Sequence, residues 1–503
     1  MPDSKKEKPN IENITSYNSI LLGLMGHVDS GKTAIAKMIS EIISTSGLDA
    51  HPQSKKRGIT IDLGFTSLIL DQNLITLVDA PGHADLIRSV VASANIIEGA
   101  ILVIDASKGI QIQTAEHLVI LESLGIKNLI VILNKIDLVS GEQTEKLTKQ
   151  VRITLKDTSF NQSYEIIRTS TKAEIGKKDL IDGIKNLVGF ILEERRTSQK
   201  DSGSTDLIYP IDHHFKIKGQ GVIVTGTTLE GSVKRNQDAV IIPQKKKIKI
   251  KSLQIYYQDV DEAPQGFRVG ARISGIDVEN MSRGNIITRN PEIFRKGELL
   301  KIKLQMNKYF KKDVPFGAQI NATFGLTTEN ARIFPFICKE NQEFIIDSVN
   351  RQQNRDEKNE LYAYVWLFEP NYIKTGTKVL LSQLDLPPTS LRFFGTGIIE
   401  EVLTDNIPEL GYYKIKKGTI RNAAYGKGQI LAEGLAQSKD GAETLIGKKL
   451  DEPRGTIEST FGNKGVVVVD LDQSKSQKLD NGGEILLKML RTTKLDRNKS
   501  YRE

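Results

Sequence analysis

Residues 26–33 read GHVDSGKT and have the spacing G-x-x-x-x-G-K-[ST], which brings backbone amides, one ammonium and one hydroxyl within reach of a polyphosphate. Set between a strand and a helix, the run Asp29, Ser30, Gly31, Lys32, Thr33 and Ala34 aims its N–H groups at the phosphates, with the helix's positive end behind them. Lys32 then reaches the β- and γ-phosphates, and the Thr33 hydroxyl ligates Mg²⁺. Downstream, LVDAPGH at 77–83 ends a strand on Asp79, a carboxylate that holds Mg²⁺ through water. Gly82 offers its N–H to the γ-phosphate, and its missing Cβ permits close approach. His83 then lies beside an attacking water. In NKID, residues 134–137, Asp137 can accept both guanine N–H groups, Asn134 can bond the base edge and the Lys135 stem can cover its face. Ser170, Thr171 and Lys172 close that pocket with backbone N–H groups aimed at O6. The polar, basic loop HPQSKKRGITIDLG, residues 51–64, supplies Thr60 as a second Mg²⁺ hydroxyl while the γ-phosphate holds it. Val28 and Ile59 form an apolar gate that keeps His83 from the water. NKxD alone is a common loop; in this order, at strand ends, the motifs specify binding and hydrolysis of GTP.

The elements that must position these groups are legible in the hydrophobic pattern. Buried strands are expected at Ser19–Leu24, Ser67–Leu70, Leu74–Val78, Ala100–Ile104, Leu129–Leu133 and Tyr164–Arg168, with helices near 113–124, 142–156 and 177–195. Ile35, Met38, Ile39, Ile42 and Ile43 fall on one helical face after Lys32. Such alternation predicts a mostly parallel sheet with helices on both faces and ligands at the carboxyl ends of its strands. After a polar linker near 197–206, short Val/Ile/Phe-rich runs separated by Gly, Asn and Asp predict β-barrels. The expected organisation is an α/β P-loop GTPase domain at 17–197 after a disordered leader at 1–16, followed by three β-barrel domains at 206–292, 297–384 and 388–503. FKIKGQGVIVTG at 215–226 is faintly echoed by TFGNKGVVVVD at 460–470.

Composition constrains the class. The chain has 503 residues with 26% charged and 39% hydrophobic, and 70 Lys and Arg against 62 Asp and Glu give +8. That excess permits nucleic-acid binding without requiring it. The single Cys338 excludes an internal disulfide framework and a multi-thiolate zinc site. The apolar stretch Ile96–Ile104 is too short for a membrane span, so the default compartment is the cytoplasm.

GHVDSGKT, RGITI, DAPGH, NKID and QTAEH at 113–117 resemble the GTPase domain of translation elongation factors of the elongation factor Tu class. IDHHFKIKGQGVIVTG at 211–226 is similar to their second domain. LDLPPTSLRFFGTGIIEEV at 384–402, GLAQSKDGAETLIGKKL at 434–450 and HPQSKKRGITIDLGF at 51–65 resemble the archaeal branch of the selenocysteine-specific (SelB-type) elongation factors. The resemblance implies a monomeric carrier that binds selenocysteinyl-tRNA with GTP and delivers it to recoded UGA codons on the ribosome. It also implies coupling to an mRNA recoding element, direct or through an adaptor. The family's selenocysteinyl pocket maps onto Asp212, His213 and Arg268, where a cationic site would favour a selenolate over the neutral hydroxyl of serine and Asp212 would orient His213. Ser30, Ala80 and Thr171 depart from the usual elongation-factor residues, and Thr171 bears on the O6 contact. Rival readings are a general aminoacyl-tRNA or initiator-tRNA carrier, a GTPase subunit of a sulfate-activating enzyme, and a passive ribosome-binding scaffold.

Two basic stretches remain open. KKKIKIK at 245–251, as a strand, puts Lys245, Lys247, Lys249 and Lys251 on one face, which suits tRNA phosphates or a solvated barrel wall. Lys488, Arg491, Lys494, Arg497, Lys499 and Arg502 form either an RNA-binding tail or a frayed charged terminus. Phe393, Phe394 and Phe461 are expected in the core of the fourth domain rather than as base-stacking platforms.

Overall fold

The computed structural model describes residues 13–39, 42–43, 64–79, 97–160, 164–197, 206–217, 221–339, 342–350, 352, 360–387, 390–404, 406–472 and 479–498. They form two compact units, the first holding residues up to 335 together with 347–405, the second 336–346 with 406–499.

The first unit begins with the expected α/β layer. Its elements are β1 (Asn18–Gly26), α1 (Lys32–Ile39), β2 (Ile42–Ile43), β3 (Gly64–Leu70), β4 (Asn73–Asp79), β5 (Gly99–Asp105), α2 (Ile112–Leu124), β6 (Leu129–Asn134), α3 (Gly141–Lys156), β7 (Tyr164–Arg168) and α4 (Lys177–Thr197). The sheet order is β2-β3-β4-β1-β5-β6-β7, parallel from β4 through β7 and antiparallel at β2 and β3. Nearly unbroken apolar strands are what a sheet covered on both faces requires, and the side chains divide by parity. Ile20, Leu22, Leu24, Ile101, Val103, Ile130 and Ile132 pack with α1 and α4. Leu21, Met25, Leu102, Ile104, Val131 and Leu133 pack with α2 and α3. Ser140 and Gln143 form a reciprocal capping box that starts α3 where the pattern placed it. One expectation fails: α1 ends at Ile39, and Ile42–Ile43 instead pair antiparallel with Thr66 and Ser67. Two adjacent β-branched residues suit a strand edge as well as a helical face, and the pairing decides between them.

In the second domain, the strand order Asp238–Ile242, Ile286–Thr288, β8 (Ile208–Ile217), β9 (Gly221–Thr227), Arg268–Ser274, Lys246–Ile255 closes when the first pairs with the last. Inward residues such as Tyr209, Val224, Ile250 and Val269 fill it, and the Tyr209 hydroxyl donates to the Val269 carbonyl at 2.8 Å. The lysine run lies as expected on its wall, with Lys247, Lys249 and Lys251 outward and Ile248 and Ile250 inward. Lys245 departs from it, sitting in the preceding turn with φ 51 and its ammonium 5.6 Å from the Tyr372 ring.

The third barrel corrects the expected boundary near 384–388. Phe393–Leu403 runs antiparallel to both Arg295–Met306 and Lys378–Ser382, so it completes this barrel rather than opening a fourth domain. The Pro-containing stretch before it is only the connection between neighbouring strands. Phe393 and Phe394 are core, but of the third barrel.

The second unit centres on Glu409–Gly426, paired with Glu484–Lys494 on one side and Gln429–Glu433 on the other. Ile420, Ile430, Ile457, Val467 and Leu487 form its core. Lys488, Arg491 and Lys494 are therefore strand residues, while 499–503 lie outside the described residues. Phe461 is 40% exposed against Tyr425, contrary to its expected core position. The two echoed segments are both hairpins, Ile208–Ile217 with Gly221–Thr227 and Gly455–Phe461 with Val466–Leu471. Among the described residues no helix is long and apolar enough to cross a membrane.

Candidate functional site

The phosphate loop leaves the sheet at Gly26, where φ is +139 and a Cβ would lie 2.2 Å from the Val103 carbonyl oxygen. Only glycine fits this exit from a central strand. Lys32 is buried and folds over the loop, donating to the carbonyls of Gly26 at 3.2 Å and His27 at 3.1 Å. The Thr33 hydroxyl donates to Asp79 Oδ2 at 2.8 Å, joining the start of α1 to the end of β4. A hydroxyl beside a fully buried carboxylate is a hard oxygen donor pair that suits a divalent ion completed by phosphate and water. Ala34 is exposed on the first turn of α1, and Val28 is half-buried in the loop. Burial, then Lys108 and Lys32, lower the pKa of His27, so the loop gathers cationic field where an anion would sit.

The guanine side is bound to the phosphate side by direct bonds. Asn134, fully buried at the end of β6, donates to the Ser30 carbonyl at 3.0 Å and accepts from the Thr169 hydroxyl at 3.2 Å and the Thr171 N–H at 3.4 Å. Expected at the base edge, it here ties the two loops together. Lys135 takes a left-handed φ of 63 and donates to the Asp29 carbonyl at 2.6 Å and Asp105 at 2.7 Å, lying across the mouth of the loop. Burial alone would raise the Asp105 pKa; the Lys135 ammonium and two Ser107 bonds outweigh it and lower the value. Asp137 is exposed, and its Oδ1 accepts from the hydroxyl of buried Ser170 at 2.5 Å. Lys172 is exposed beside it.

The second barrel carries a separate polar cluster. A bulge in β8 turns Asp212 and His213 toward β9, and Arg268 opens the next strand across the same wall. Arg268 forks onto Asp212, with Nη2 3.2 Å from Oδ1 and a second, shorter bond from Nη1 to Oδ2. Asp212 also takes the Thr225 hydroxyl at 2.6 Å and contacts His213 Nδ1 at 2.9 Å. Burial would push the Asp212 carboxyl up, but Arg268 and His213 hold it well below the usual carboxylate range. The cluster is thus charge-compensated, with Asp212 gripping Arg268, the cation the resemblance implies for the cargo. Phe65 of β3 covers it: the guanidinium carbon stands 3.3 Å from its ring centroid, and His213 meets the same ring edge-on at 6.0 Å.

Thr60, Ile59, Ala80, Gly82 and His83 lie outside the described residues. Four contributors escaped the sequence reading: Asp105, Phe65, Glu116 and His117. Phe65 sits at the end of HPQSKKRGITIDLGF and Glu116 and His117 within QTAEH, segments whose motifs do not spell out these contacts. His117 is buried, and its Nδ1 accepts the Gly26 N–H at 2.9 Å, which fixes the proton on Nε2.

The family model for the elongation factor Tu GTP binding domain fits residues 18–189, that for elongation factor Tu domain 2 fits 221–288, and that for domain III of archaeal selenocysteine-specific elongation factors fits 297–403. A selenocysteine-specific elongation factor of Methanocaldococcus jannaschii is 37% identical over 482 residues, covering 94% of this chain and 98% of that protein. The mouse selenocysteine-specific elongation factor is 36% identical over 337 residues, 63% of this chain and 57% of its own. The crystal structure of translation elongation factor SelB from Methanococcus maripaludis with the GTP analogue GppNHp superposes with a TM-score of 0.78 at 32% identity, covering 95% of this chain and 99% of that one.

Proposed function

Because the chain belongs to the selenocysteine-specific elongation factors, GTP-dependent factors of translation, we propose that it carries selenocysteinyl-tRNA as a monomer in the cytoplasm and releases it on the ribosome when GTP is hydrolysed. The observation that carries the cargo assignment is the Asp212–His213–Arg268 cluster under Phe65, a polar, part-buried site on the second barrel facing the GTPase sheet. A selenol ionises near neutral pH, and a guanidinium with an adjacent imidazole discriminates a selenolate from a hydroxyl by charge. Asp212 holds both side chains in place, so the pocket is shaped before the cargo arrives.

At the nucleotide, the loop from Asp29 to Ala34 binds the phosphates, Lys32 swings from its own loop carbonyls to the β- and γ-oxygens, and Asp137 selects guanine. Lys135 covers the base, while Ser170, Thr171 and Lys172 complete the purine wall. Thr33, Thr60 and Asp79 would hold Mg²⁺, which neutralises charge on the β- and γ-oxygens when bound. Val28 and Ile59 keep His83 from the water until codon recognition admits it; His83 then orients the water in line, and loss of the γ-phosphate frees the segments at Thr60 and Gly82. The second unit couples the factor to the messenger's recoding element, directly or through an adaptor.

The test is GTP-dependent protection of the ester bond in selenocysteinyl-tRNA compared with seryl-tRNA on the same tRNA. Protection of the selenocysteinyl ester alone is expected; equal protection of both would leave only a general carrier.

A further inference from the structure

The third barrel grips the GTPase sheet through one helix. Arg392 and Glu116 are a wholly buried pair, their side chains 3% and 1% exposed. Arg392 Nε donates to Oε1 at 2.9 Å, Nη2 to Oε2 at 2.7 Å, and the Arg392 backbone N–H to Oε1 at 3.3 Å. Further along α2, Lys308 donates to Glu122 at 3.0 Å and Lys378 to the Leu124 carbonyl at 2.9 Å. Leu380 and Phe393 of the barrel share a core with Leu118 and Leu121 of the helix. One residue from Glu116, His117 accepts the N–H of Gly26, the first residue of the phosphate loop.

A buried ion pair costs desolvation and adds little stability over apolar packing, but its two-pronged geometry fixes position. Here it fixes the turn of α2 that supplies the acceptor for Gly26. We propose that Arg392, Glu116 and His117 are positioning residues for the nucleotide: the third barrel keeps the phosphate loop in its binding shape through this chain of contacts, so that loosening the barrel from α2 releases the nucleotide. The proposal rests on the loop being the GTP site and concerns how that site is regulated.

The test uses the full chain with a fluorescent GDP, following its release after mixing with excess GDP. Arg392→Met should accelerate release about tenfold, within the range usual for coupled sites, and Arg392→Lys, which keeps the charge and one prong, should fall between. In a His117→Ala background the same Arg392→Met change should add less than about twofold, because its route to Gly26 is already cut. A purely structural pair would lower the unfolding temperature of Arg392→Met and leave release unchanged, which overturns the proposal. Equal acceleration with and without His117 overturns it too. Hydrogen exchange at the Gly26 amide of the nucleotide-free protein reads the relay without ligand. It should speed up in Arg392→Met, and an unchanged rate would refute the relay even if the variant bound no nucleotide. Failure of the wild-type chain to bind any guanine nucleotide would instead refute the GTP-site assignment, with Gly26 exchange still reporting on the contacts.

Discussion

Gly31 and Asn134 make a sharp test of how the two halves of the nucleotide site are joined. At Gly31 φ is +95, and a Cβ there would stand 2.2 Å from Asn134 Nδ2, the atom that donates to the Ser30 carbonyl. In Gly31→Ala the Asn134 amide must withdraw, leaving a buried bond unmade at about 1–3 kcal/mol. The left-handed backbone adds about 1–2 kcal/mol for an L-residue. If the strain is relieved only by distorting the bound loop, affinity falls by about 2–5 kcal/mol, roughly 30-fold to several thousand-fold. Asn134→Ala alone should also weaken binding, since it removes the tie to Ser30, Thr169 and Thr171. It also removes the atom that clashes, so the double variant should bind better than the sum of the two losses predicts, by about 1–2 kcal/mol. Equilibrium titration with a fluorescent guanine nucleotide at fixed Mg²⁺ measures all four corners of the cycle. Gly31→Ala within threefold of the parent, or losses that add, would refute the close approach on which this reasoning depends.

The remaining expectations concern His117, Asp212 and His83. Burial pushes the His117 imidazole down to about 3, so the folded chain keeps it neutral while the unfolded chain protonates it below about 6.5. Stability should therefore fall as pH drops from about 6.5 toward 3, by up to ~1.4 kcal/mol per pH unit from this group, and thermal melts of His117→Gln should be flatter over that range. Asp212 is shifted downward too, which for an acid favours the charged form: its contribution is full above about 3.9 and is lost only as pH falls through its lower folded value. Asp212→Ala should accordingly cost stability at pH 7, by about 3–5 kcal/mol, because it strands the Arg268 charge, and a denaturation midpoint equal to the parent's would refute the clamp. His83→Ala should bind GTP and charged tRNA normally yet lose ribosome-stimulated hydrolysis, measured by phosphate release; undiminished stimulation would remove His83 from the mechanism.

What was readable in the sequence was whatever local pattern encodes. Strands β1 and β3 to β7 lie within a few residues of their expected places because a doubly covered sheet writes itself as uninterrupted apolar runs, and α3 starts one residue from the helix expected near 142–156. What the pattern lacks is the identity of distant partners. Nothing local says that Leu300 pairs with Val402, and so the third barrel was closed one strand too early. Pro387 falls at the expected boundary between 384 and 388, yet the Leu386 N–H bonds the Gln383 carbonyl and the Ser390 N–H the Pro387 carbonyl in tight turns that link adjacent strands. For Asp212, His213 and Arg268, the resemblance implies the residues, but their charge balance depends on geometry: Arg268 bonds Asp212 rather than standing free, and Phe65 arrives from another domain. Asn134 likewise has a bracing job that its motif does not spell out.

The second unit is assembled from two stretches of chain, 336–346 and 406–499. Its short stretch brings Phe344, which pairs with Gly411 and stacks on Tyr413 at 5.5 Å and 11°. A domain built this way is not a cassette. Shortening the chain after residue 404 would not remove it cleanly but would leave an orphaned hairpin end whose aromatic face has lost its cover. Gain or loss of this unit therefore requires two coordinated changes, one at the carboxyl end and one inside the hairpin of the third barrel. Any attempt to assay the first unit by itself must shorten that hairpin as well.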